Sequence, residues 1–373
     1  MRSSFELGRF AGIRVGVHWS WLVIFALLVW SLSTTVFPSQ NEGLSDGTYL
    51  AMSVAASLLF FVSLLLHEYG HALQARREGM EIEGINLWLF GGVAQFKGMF
   101  RSAGAEFRIA IAGPVVSLVL GVLFVGVALA TGLPQELDGV AAWLGVINLV
   151  LLAFNLLPAL PLDGGRVLRS ALWSARDDFR WATRVAAAVG RFFGYAFIAG
   201  GLALFFTFSA ASGLWLAFIG WFLLGAASAE ARYLAVRDAL DGLRVRDLMV
   251  RAPTTVSPSL TIGELMDGVV WAHRHTTYPV VEGDRAVGLL PFRCVAQVPR
   301  AEWDSRTVRD CMIPLEDVPV LDEDEPLEEA LAALGDGGVG RGLVLDGDRL
   351  VGFLSITDLV RALETRPRRS VNV

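Results

Sequence analysis

Two histidines and a glutamate interrupt a long apolar run, "LLLHEYGHALQARREG", at residues 64–79. His67 and His71 are four residues apart, so on a helix their side chains leave the same face one turn apart and can hold one Zn²⁺. Glu68 lies beside them, where a carboxylate can act as the base for a metal-bound water. Ionisable groups in an apolar segment of membrane-spanning length cost free energy and usually serve a function. The pattern therefore favours a hydrolytic zinc site.

A catalytic zinc needs about three protein ligands and one open position. Two further candidates lie in the apolar part of the chain: His18 in "VGVHWSW" and Asp163 in "FNLLPALPLDGGRVLRS". Pro158 and Pro161 interrupt the helix before Asp163, and irregular backbone at membrane depth is tolerated where it lines a cavity. We therefore favour Asp163 as the third ligand and interpret His18 as a packing or interface residue.

The elements that must position these groups are membrane-spanning helices. The 373 residues are 54% hydrophobic and only 18% charged, and the mean hydropathy is +0.53. Against roughly 20 residues per crossing, we place spans at 16–36, 49–74, 108–131, 139–157, 185–207 and 210–230. The net charge of −6 and the scattered arginines exclude a nucleic-acid-binding protein.

Arginine in alternate loops sets the predicted orientation. The loops at 37–48, 132–138 and 208–209 contain no Lys or Arg, whereas the alternate loops contain several. By the positive-inside rule, the N-terminus and the C-terminal tail face the cytoplasm of a multi-pass cell-membrane protein. Arg191 falls inside the fifth span, so either its side chain reaches the inner face or this helix begins later than 185. The preference for arginine over lysine suggests a high-GC bacterial genome.

Residues 82–96, "IEGINLWLFGGVAQF", contain two short β-type runs around Gly91-Gly92. Glycine pairs between such runs are typical of a hairpin turn. We therefore predict a β-hairpin directly after the span that carries the two histidines.

From about Val245 onward, no uncharged stretch is long enough to cross a membrane, so the tail is predicted to be soluble. Its sequence contains a repeat: "VRDLMV" at 245–250 recurs as "VRDCMI" at 308–313. Each copy continues with an amphipathic helical stretch and a strand-like segment. A tandem repeat is the simplest interpretation. Cys294 and Cys311 lack metal-ligand spacing and are interpreted as reduced thiols.

"HEYGH" and the later "NLLPALPLDGG" resemble the paired signatures of the site-2 protease family of intramembrane zinc metalloproteases. The resemblance extends over roughly residues 1–230. It implies one zinc per chain, held by His67, His71 and Asp163, with Glu68 as the catalytic base that assists attack by zinc-bound water. It further implies that Asn155 faces the reacting carbonyl, although an Asn at this point also caps freed backbone groups in many helices.

The segment "AGPVVS", residues 112–117, is similar to the family's G-P-x-x-S/N segment. Its Gly and Pro permit close approach near the metal-binding helix, and the same residue types also serve ordinary helix packing. In the family, a hairpin after the HExxH span is thought to hold unwound substrate by strand addition. The alternative is a structural hairpin that only covers the zinc helix. The resemblance also implies the substrate, a single-span membrane protein such as an anti-sigma factor.

The repeated tail resembles a pair of CBS domains over about 245–366, a module that commonly binds adenine nucleotides. In the second copy, "GFLSITD", Ser355 and Asp358 occupy the family's G-x-x-S/T-x-x-D positions, where they are expected to bind phosphate and ribose. The first copy, "GLLPFRC", has Pro291 and Cys294 there. We expect at most one site for ATP, ADP or AMP, and a pure dimerisation module is the other interpretation.

We therefore predict a polytopic α-helical membrane protein of about six spans with a membrane-associated β-hairpin, followed by a soluble α/β CBS-pair domain. The predicted parts are a membrane metalloprotease domain at 1–232, a linker at 233–244, the CBS pair at 245–366 and a tail at 367–373. The expected function is regulated intramembrane proteolysis by a zinc endopeptidase that forms a homodimer through its CBS domains. The alternatives are a CBS-regulated transporter or channel, with the four ionisable groups as an ion-transfer site, and an inactive scaffold that binds membrane proteins.

Overall fold

A computed structural model describes residues 4–10, 12–88, 91–96, 100–130, 132–273, 275–336 and 340–358. The chain divides into two compact units, Met1–Leu234 and Ala235–Val373. The predicted tail at 367–373 and the last residues of the predicted CBS pair lie outside the described residues.

The first unit is built on long apolar helices. These are α1 (Ser20–Gln40), α2 (Asp46–Arg77), α3 (Ala103–Ala128), α4 (Gln135–Asn155), the short α5 (Asp163–Arg176), α6 (Phe179–Thr207) and α7 (Ala210–Leu240). All except α5 are long and apolar enough to cross a membrane, so the prediction of six spans is confirmed. The buried Leu32, Tyr49 and Leu144 pack α1, α2 and α4 together.

Side-chain caps set where several of these helices begin. Ser45, Ser102 and Asp178 each accept a hydrogen bond from the backbone N–H three residues later, which satisfies a donor that the first turn leaves free. Because Asp178 caps α6, this helix begins at Phe179 and contains the half-buried Arg191. The alternative of a helix that begins after residue 185 is therefore wrong.

A four-stranded sheet lies beside these helices, in the order β1 (Phe5–Phe10), β2 (Ile13–Val17), β3 (Ile82–Trp88), β4 (Gly91–Phe96). β2 and β3 are parallel, and the other two pairs are antiparallel. The predicted hairpin is β3–β4, but the glycine pair is not its turn: Gly91 pairs with Trp88, and residues 89–90 between them lie outside the described residues.

The N-terminal strands correct the predicted first span. Residues 13–17 form β2, and their apolar side chains Ile13, Val15 and Val17 are buried on the sheet, so the helix begins only at Ser20 and not at 16. After α4 the chain runs without regular structure over 156–162, and Asp163 is the first residue of α5.

The second unit contains one seven-stranded sheet with short helices around it. Its strands are β5 (Val250–Arg251), β6 (Thr277–Glu282), β7 (Arg285–Pro291), β8 (Ile313–Pro314), β9 (Val320–Leu321), β10 (Arg341–Asp346) and β11 (Arg349–Ser355). They run in the order β6-β7-β11-β10-β9, with β5 paired to β11 and β8 to β7. The main helical segments are Val245–Leu248, the stretch 262–273, Phe292–Val295, Val308–Asp310 and Leu327–Asp336.

The first residue of each repeat packs in the hydrophobic core of the other repeat. Val245, which opens the first copy, is buried in a cluster with Leu327 and Leu354 of the second. Val308, which opens the second copy, is buried with Ile262 and Tyr278 of the first. Each copy therefore completes the hydrophobic core of the other, which explains why the strand pairs β5–β11 and β7–β8 also join the two copies.

The segment predicted as a linker, 233–244, is helical up to Leu240. Leu240 is buried and packs in the same cluster as Val245 and Met249. The boundary between the two domains at 232 and 245 stays a prediction.

Candidate active site

His67, His71 and Asp163 meet in the interior of the first unit. Their exposed fractions are 2%, 4% and 8%, respectively. The Nε2 atoms of the two histidines lie 3.2 Å apart, and Oδ2 of Asp163 lies 3.2 Å from each of them. The structure thus brings together all three side chains that the sequence predicts as ligands, the histidines from α2 and the carboxylate from the start of α5.

The donor set fits zinc. Tetrahedral zinc holds imidazole nitrogen and carboxylate oxygen at about 2.0–2.2 Å, which separates neighbouring donor atoms by roughly 3.3 Å. The three donor–donor distances of 3.2 Å match this separation. Two histidines and one carboxylate also leave a fourth position open, as a catalytic zinc requires.

The outer nitrogens of both imidazoles are held by α3. Nδ1 of His71 donates to the backbone carbonyl of Ile109 at 2.7 Å, which leaves its Nε2 without a proton and free to bind metal. Nδ1 of His67 lies 2.8 Å from Oγ of Ser117. Such contacts orient the rings and set their tautomers, so α3 helps to form the centre although it contributes no ligand.

Gly113 lets α3 approach this closely. A Cβ atom placed on Gly113 would overlap the Nε2 atoms of both His67 and His71. Gly113 and Ser117 belong to the "AGPVVS" segment, which the sequence indicates only as a place of close approach. The direct contact of Ser117 with His67, and that of the Ile109 carbonyl with His71, are not predicted.

Ser117→Ala should weaken zinc binding about tenfold, because His67 loses the group that orients its ring. Competition with a chromogenic chelator measures the affinity. Ser57→Ala is the matched control, since Ser57 is also fully buried but its Oγ has no hydrogen-bond partner among the described residues. Equal zinc affinity in the wild type and Ser117→Ala would contradict an orienting role.

Glu68 is half-buried and faces the sheet. A Cβ atom on Gly92, the second residue of β4, would overlap the Glu68 side chain, so this strand passes directly against the glutamate. β4 is the terminal strand of the four-stranded sheet. The predicted base and an edge strand are therefore neighbours.

Asn155 and His18 are not among the three clustered side chains. Asn155 is the half-buried last residue of α4. Its role in contacting substrate stays a prediction. Nδ1 of His18 lies 2.8 Å from Oγ of Ser20, and its ring lines an apolar cavity of about 460 Å³ with Trp21 and Leu65. His18 is not part of the metal-type cluster found among the described residues.

In the second unit, Ser355 and Asp358 bind each other. Oγ of Ser355 donates to Oδ2 of Asp358 at 2.6 Å, and the backbone N–H of Asp358 donates back to Oγ at 3.2 Å. Both line a cleft of about 340 Å³ together with Thr254, His275 and Arg341. Burial lowers the pKa of Arg341, and the nearby Arg293 lowers it further, so an anion in this cleft would offset unfavourable positive charge.

A buried cluster of two histidines and one carboxylate among membrane-spanning helices is typical of a membrane-embedded metallohydrolase. The family description "Peptidase family M50" matches residues 55–140 and 132–199, and "CBS domain" matches 245–298 and 308–365. The chain belongs to peptidase family M50, the site-2 protease family of zinc metalloproteases, and carries a CBS pair at its C-terminal end. The family and the zinc-metalloprotease names of its relatives favour a metalloprotease over the transporter and scaffold alternatives.

Two relatives match nearly the whole chain. "Putative zinc metalloprotease Rip3" of Mycobacterium tuberculosis is 38% identical over 98% of this chain and 94% of its own length. A zinc metalloprotease of Methanocaldococcus jannaschii is 30% identical, with 97% of each chain covered. The solved structure "Site-2 Protease from Methanocaldococcus jannaschii" is 28% identical, covers 61% of this chain and 95% of its own, and has a TM-score of 0.42.

Proposed function

We propose that this protein cleaves a single-span membrane protein within the bilayer, with His67, His71 and Asp163 as zinc ligands and Glu68 as the catalytic base. The observation that carries the proposal is the buried triangle of Nε2, Nε2 and Oδ2 atoms at 3.2 Å from one another. The membrane metalloprotease domain is proposed to span 1–232, and the CBS pair 245–366.

Zinc held by His67, His71 and Asp163 would supply a Lewis acid that polarises water and the scissile carbonyl group. The carboxylate of Glu68 takes one proton from the attacking water, whose oxygen bonds to the carbonyl carbon. Glu68 then returns the proton to the amide nitrogen as the C–N bond breaks, which yields one carboxylic acid and one amine; the acid then loses its remaining proton to the amine, leaving a carboxylate and an ammonium. The Asn155 amide is proposed to donate to the carbonyl oxygen as its negative charge develops.

A transmembrane helix hides its peptide groups in its own hydrogen bonds, so the substrate must be extended where it is cut. β4 is suited to hold an extended substrate segment, because it is the edge strand of the sheet and its Gly92 lies against Glu68. Addition of a substrate segment to this edge would bring its peptide bonds beside the proposed base. We propose β-strand addition at β4 as the binding mode.

The proposed substrate class is an anti-sigma-factor-like, single-span protein whose cleavage releases a cytosolic fragment. The arginine-bearing loops support a cytoplasmic N-terminus and cytoplasmic CBS pair in a multi-pass cell-membrane protein. Quantitative proteomics of membranes from cells expressing wild type or Glu68→Gln tests this class. Single-span proteins should accumulate uncut in the variant, and accumulation of soluble or multi-span proteins alone would contradict the proposal.

We further propose that the cleft lined by Ser355, Asp358 and Arg341 binds an adenine nucleotide, and that the CBS pair joins two protomers. The cleft volume of about 340 Å³ and the positive charge at Arg341 support a phosphate-bearing ligand. The hydrogen-bonded Ser355–Asp358 pair offers hydroxyl and carboxylate groups for phosphate and ribose.

Asp358→Ala should weaken ATP or AMP binding at least about tenfold, because a carboxylate that accepts from ribose hydroxyls is removed. Isothermal titration calorimetry on the full-length protein measures the affinity. Asp310→Ala is the matched control: Asp310 accepts from Thr307 Oγ1 at 2.9 Å in the same capping arrangement but does not line the cleft. An equal loss of nucleotide affinity in both variants, or no loss in Asp358→Ala, would contradict nucleotide binding at this cleft.

A further inference from the structure

A buried charged cluster lies on the helix that begins with Asp163. Arg169 of α5 is only 3% exposed. Its Nε and Nη2 donate to Oε1 of Glu106 on α3 at 2.8 and 2.5 Å, and its Nη1 donates to Oε1 of Glu230 on α7 at 2.8 Å. The guanidinium carbon lies 5.0 Å from the ring centre of Phe179, the first residue of α6. One side chain thus contacts three other helices.

Two of the helices that Arg169 joins, α3 and α5, also contribute to the site formed by His67, His71 and Asp163. α5 presents Asp163, and α3 presents Ser117 and the Ile109 carbonyl to the two imidazoles. Glu106 precedes Ile109 by one helical turn, and Arg169 lies less than two turns after Asp163. The double hydrogen bond between Arg169 and Glu106 therefore fixes α5 against α3 close to where each meets the ligands.

Stability alone is a weak explanation for this cluster. Removing an ion pair from water costs about as much as the pair returns, and apolar replacements of similar volume are often neutral or stabilising. Glu106 is fully buried, and its Oε2 has no hydrogen-bond partner among the described residues, so one carboxylate oxygen remains unsatisfied. What the cluster does provide is direction, because a guanidinium donates its hydrogen bonds only in its own plane.

We propose that Arg169 is a positioning residue: through Glu106 it holds α5 so that the Asp163 carboxylate meets His67 and His71. The inference rests on the proposed zinc site and adds to it a residue that is neither ligand nor base. A positioning role predicts that loss of the pair changes zinc affinity and ligand geometry even in a folded protein.

The test is the double variant Arg169→Met/Glu106→Met, which removes both buried charges and retains volume; Glu230 is more exposed and is left to water. Zinc affinity, measured by chelator competition, should fall at least about tenfold. The visible absorption of the Co²⁺-loaded protein should also change, since it reports ligand geometry. Glu106→Gln keeps the acceptor for Arg169, so it should retain affinity within about threefold of the wild type.

The control is a second Arg–Glu pair, which joins α3 to the residue that follows α2. Arg108 binds Glu78 through two hydrogen bonds of 2.7 and 2.8 Å, and the Arg108 side chain is exposed. Arg108→Gln/Glu78→Gln should leave zinc affinity and the Co²⁺ spectrum unchanged. If this surface pair had the same effect as the buried pair, the proposal would be overturned.

A folded double variant with wild-type zinc affinity and an unchanged Co²⁺ spectrum would also overturn it. If the double variant fails to fold, Arg169→Lys decides, because it retains the charge but loses the planar fork. Reduced zinc affinity in folded Arg169→Lys supports positioning, and wild-type affinity or failure to fold overturns it. A wild type that binds no zinc would overturn the proposed function itself, so the two failures are distinguishable.

Discussion

Glu68→Gln should reduce peptide-bond cleavage by about 10²–10⁴-fold, because glutamine cannot take a proton from water. Glutamine has nearly the same size and still fits against Gly92, so the fold should persist. Zinc content should remain at the wild-type value, since the proposed ligands are untouched. Cleavage of a single-span protein in proteoliposomes measures the first quantity, and elemental analysis measures the second.

Glu78→Gln is the control for this prediction, since it makes the same chemical change just after the end of α2. It should retain cleavage close to the wild-type rate. A Glu68→Gln variant with cleavage within tenfold of the wild type would contradict the assignment of Glu68 as the base.

Gly113→Ala should reduce zinc affinity by about 100-fold or more, because the added methyl group would occupy the space of both imidazole Nε2 atoms. Relief requires α3 to move away from α2, which also breaks the contacts of Ser117 and Ile109 with the histidines. Cleavage should be lost together with zinc. Chelator competition and the proteoliposome assay measure the two effects.

Gly126→Ala is a matched control on the same helix, since a Cβ atom there has nothing within 4 Å. It should bind zinc like the wild type. If Gly113→Ala also did so, the closeness of α3 to the two histidines would be wrong.

The spans and the three clustered side chains could be predicted because each has a local signal. Spacing of four residues puts His67 and His71 on one helix face, and apolar runs of about 20 residues identify spans. The proline-broken segment before Asp163 favours this residue as a ligand, because such a segment at membrane depth is expected to line a cavity. The structure brings it to 3.2 Å from both imidazoles.

The remaining features depend on contacts between distant residues. β2 pairs with β3 across about 70 residues, and no local signal separates its last two residues, 16 and 17, from the predicted first span at 16–36. The carbonyl of Ile109 carries no side-chain signal at all. Arg169 and Glu106 are separated by 63 residues, and nothing local indicates that they pair.

In the second unit, too, features with a local sequence signal could be predicted and features that depend on distant contacts could not. The repeat of "VRDLMV" as "VRDCMI" predicted two similar copies, and the CBS match confirms them. The exchange of Val245 and Val308 between the two hydrophobic cores could not be predicted, since either copy could have completed its own core. The same holds for His275, which the first copy contributes to the cleft beside Ser355 of the second.

The measurement that tests the central claim most directly is zinc per chain, determined by elemental analysis of detergent-purified wild type and Asp163→Ala. It requires no knowledge of the substrate. The proposed site predicts one zinc per wild-type chain and a sharp loss in the variant, because two imidazoles alone bind zinc weakly. A wild type without zinc after metal is supplied, or an Asp163→Ala variant that retains a full equivalent, would contradict the account.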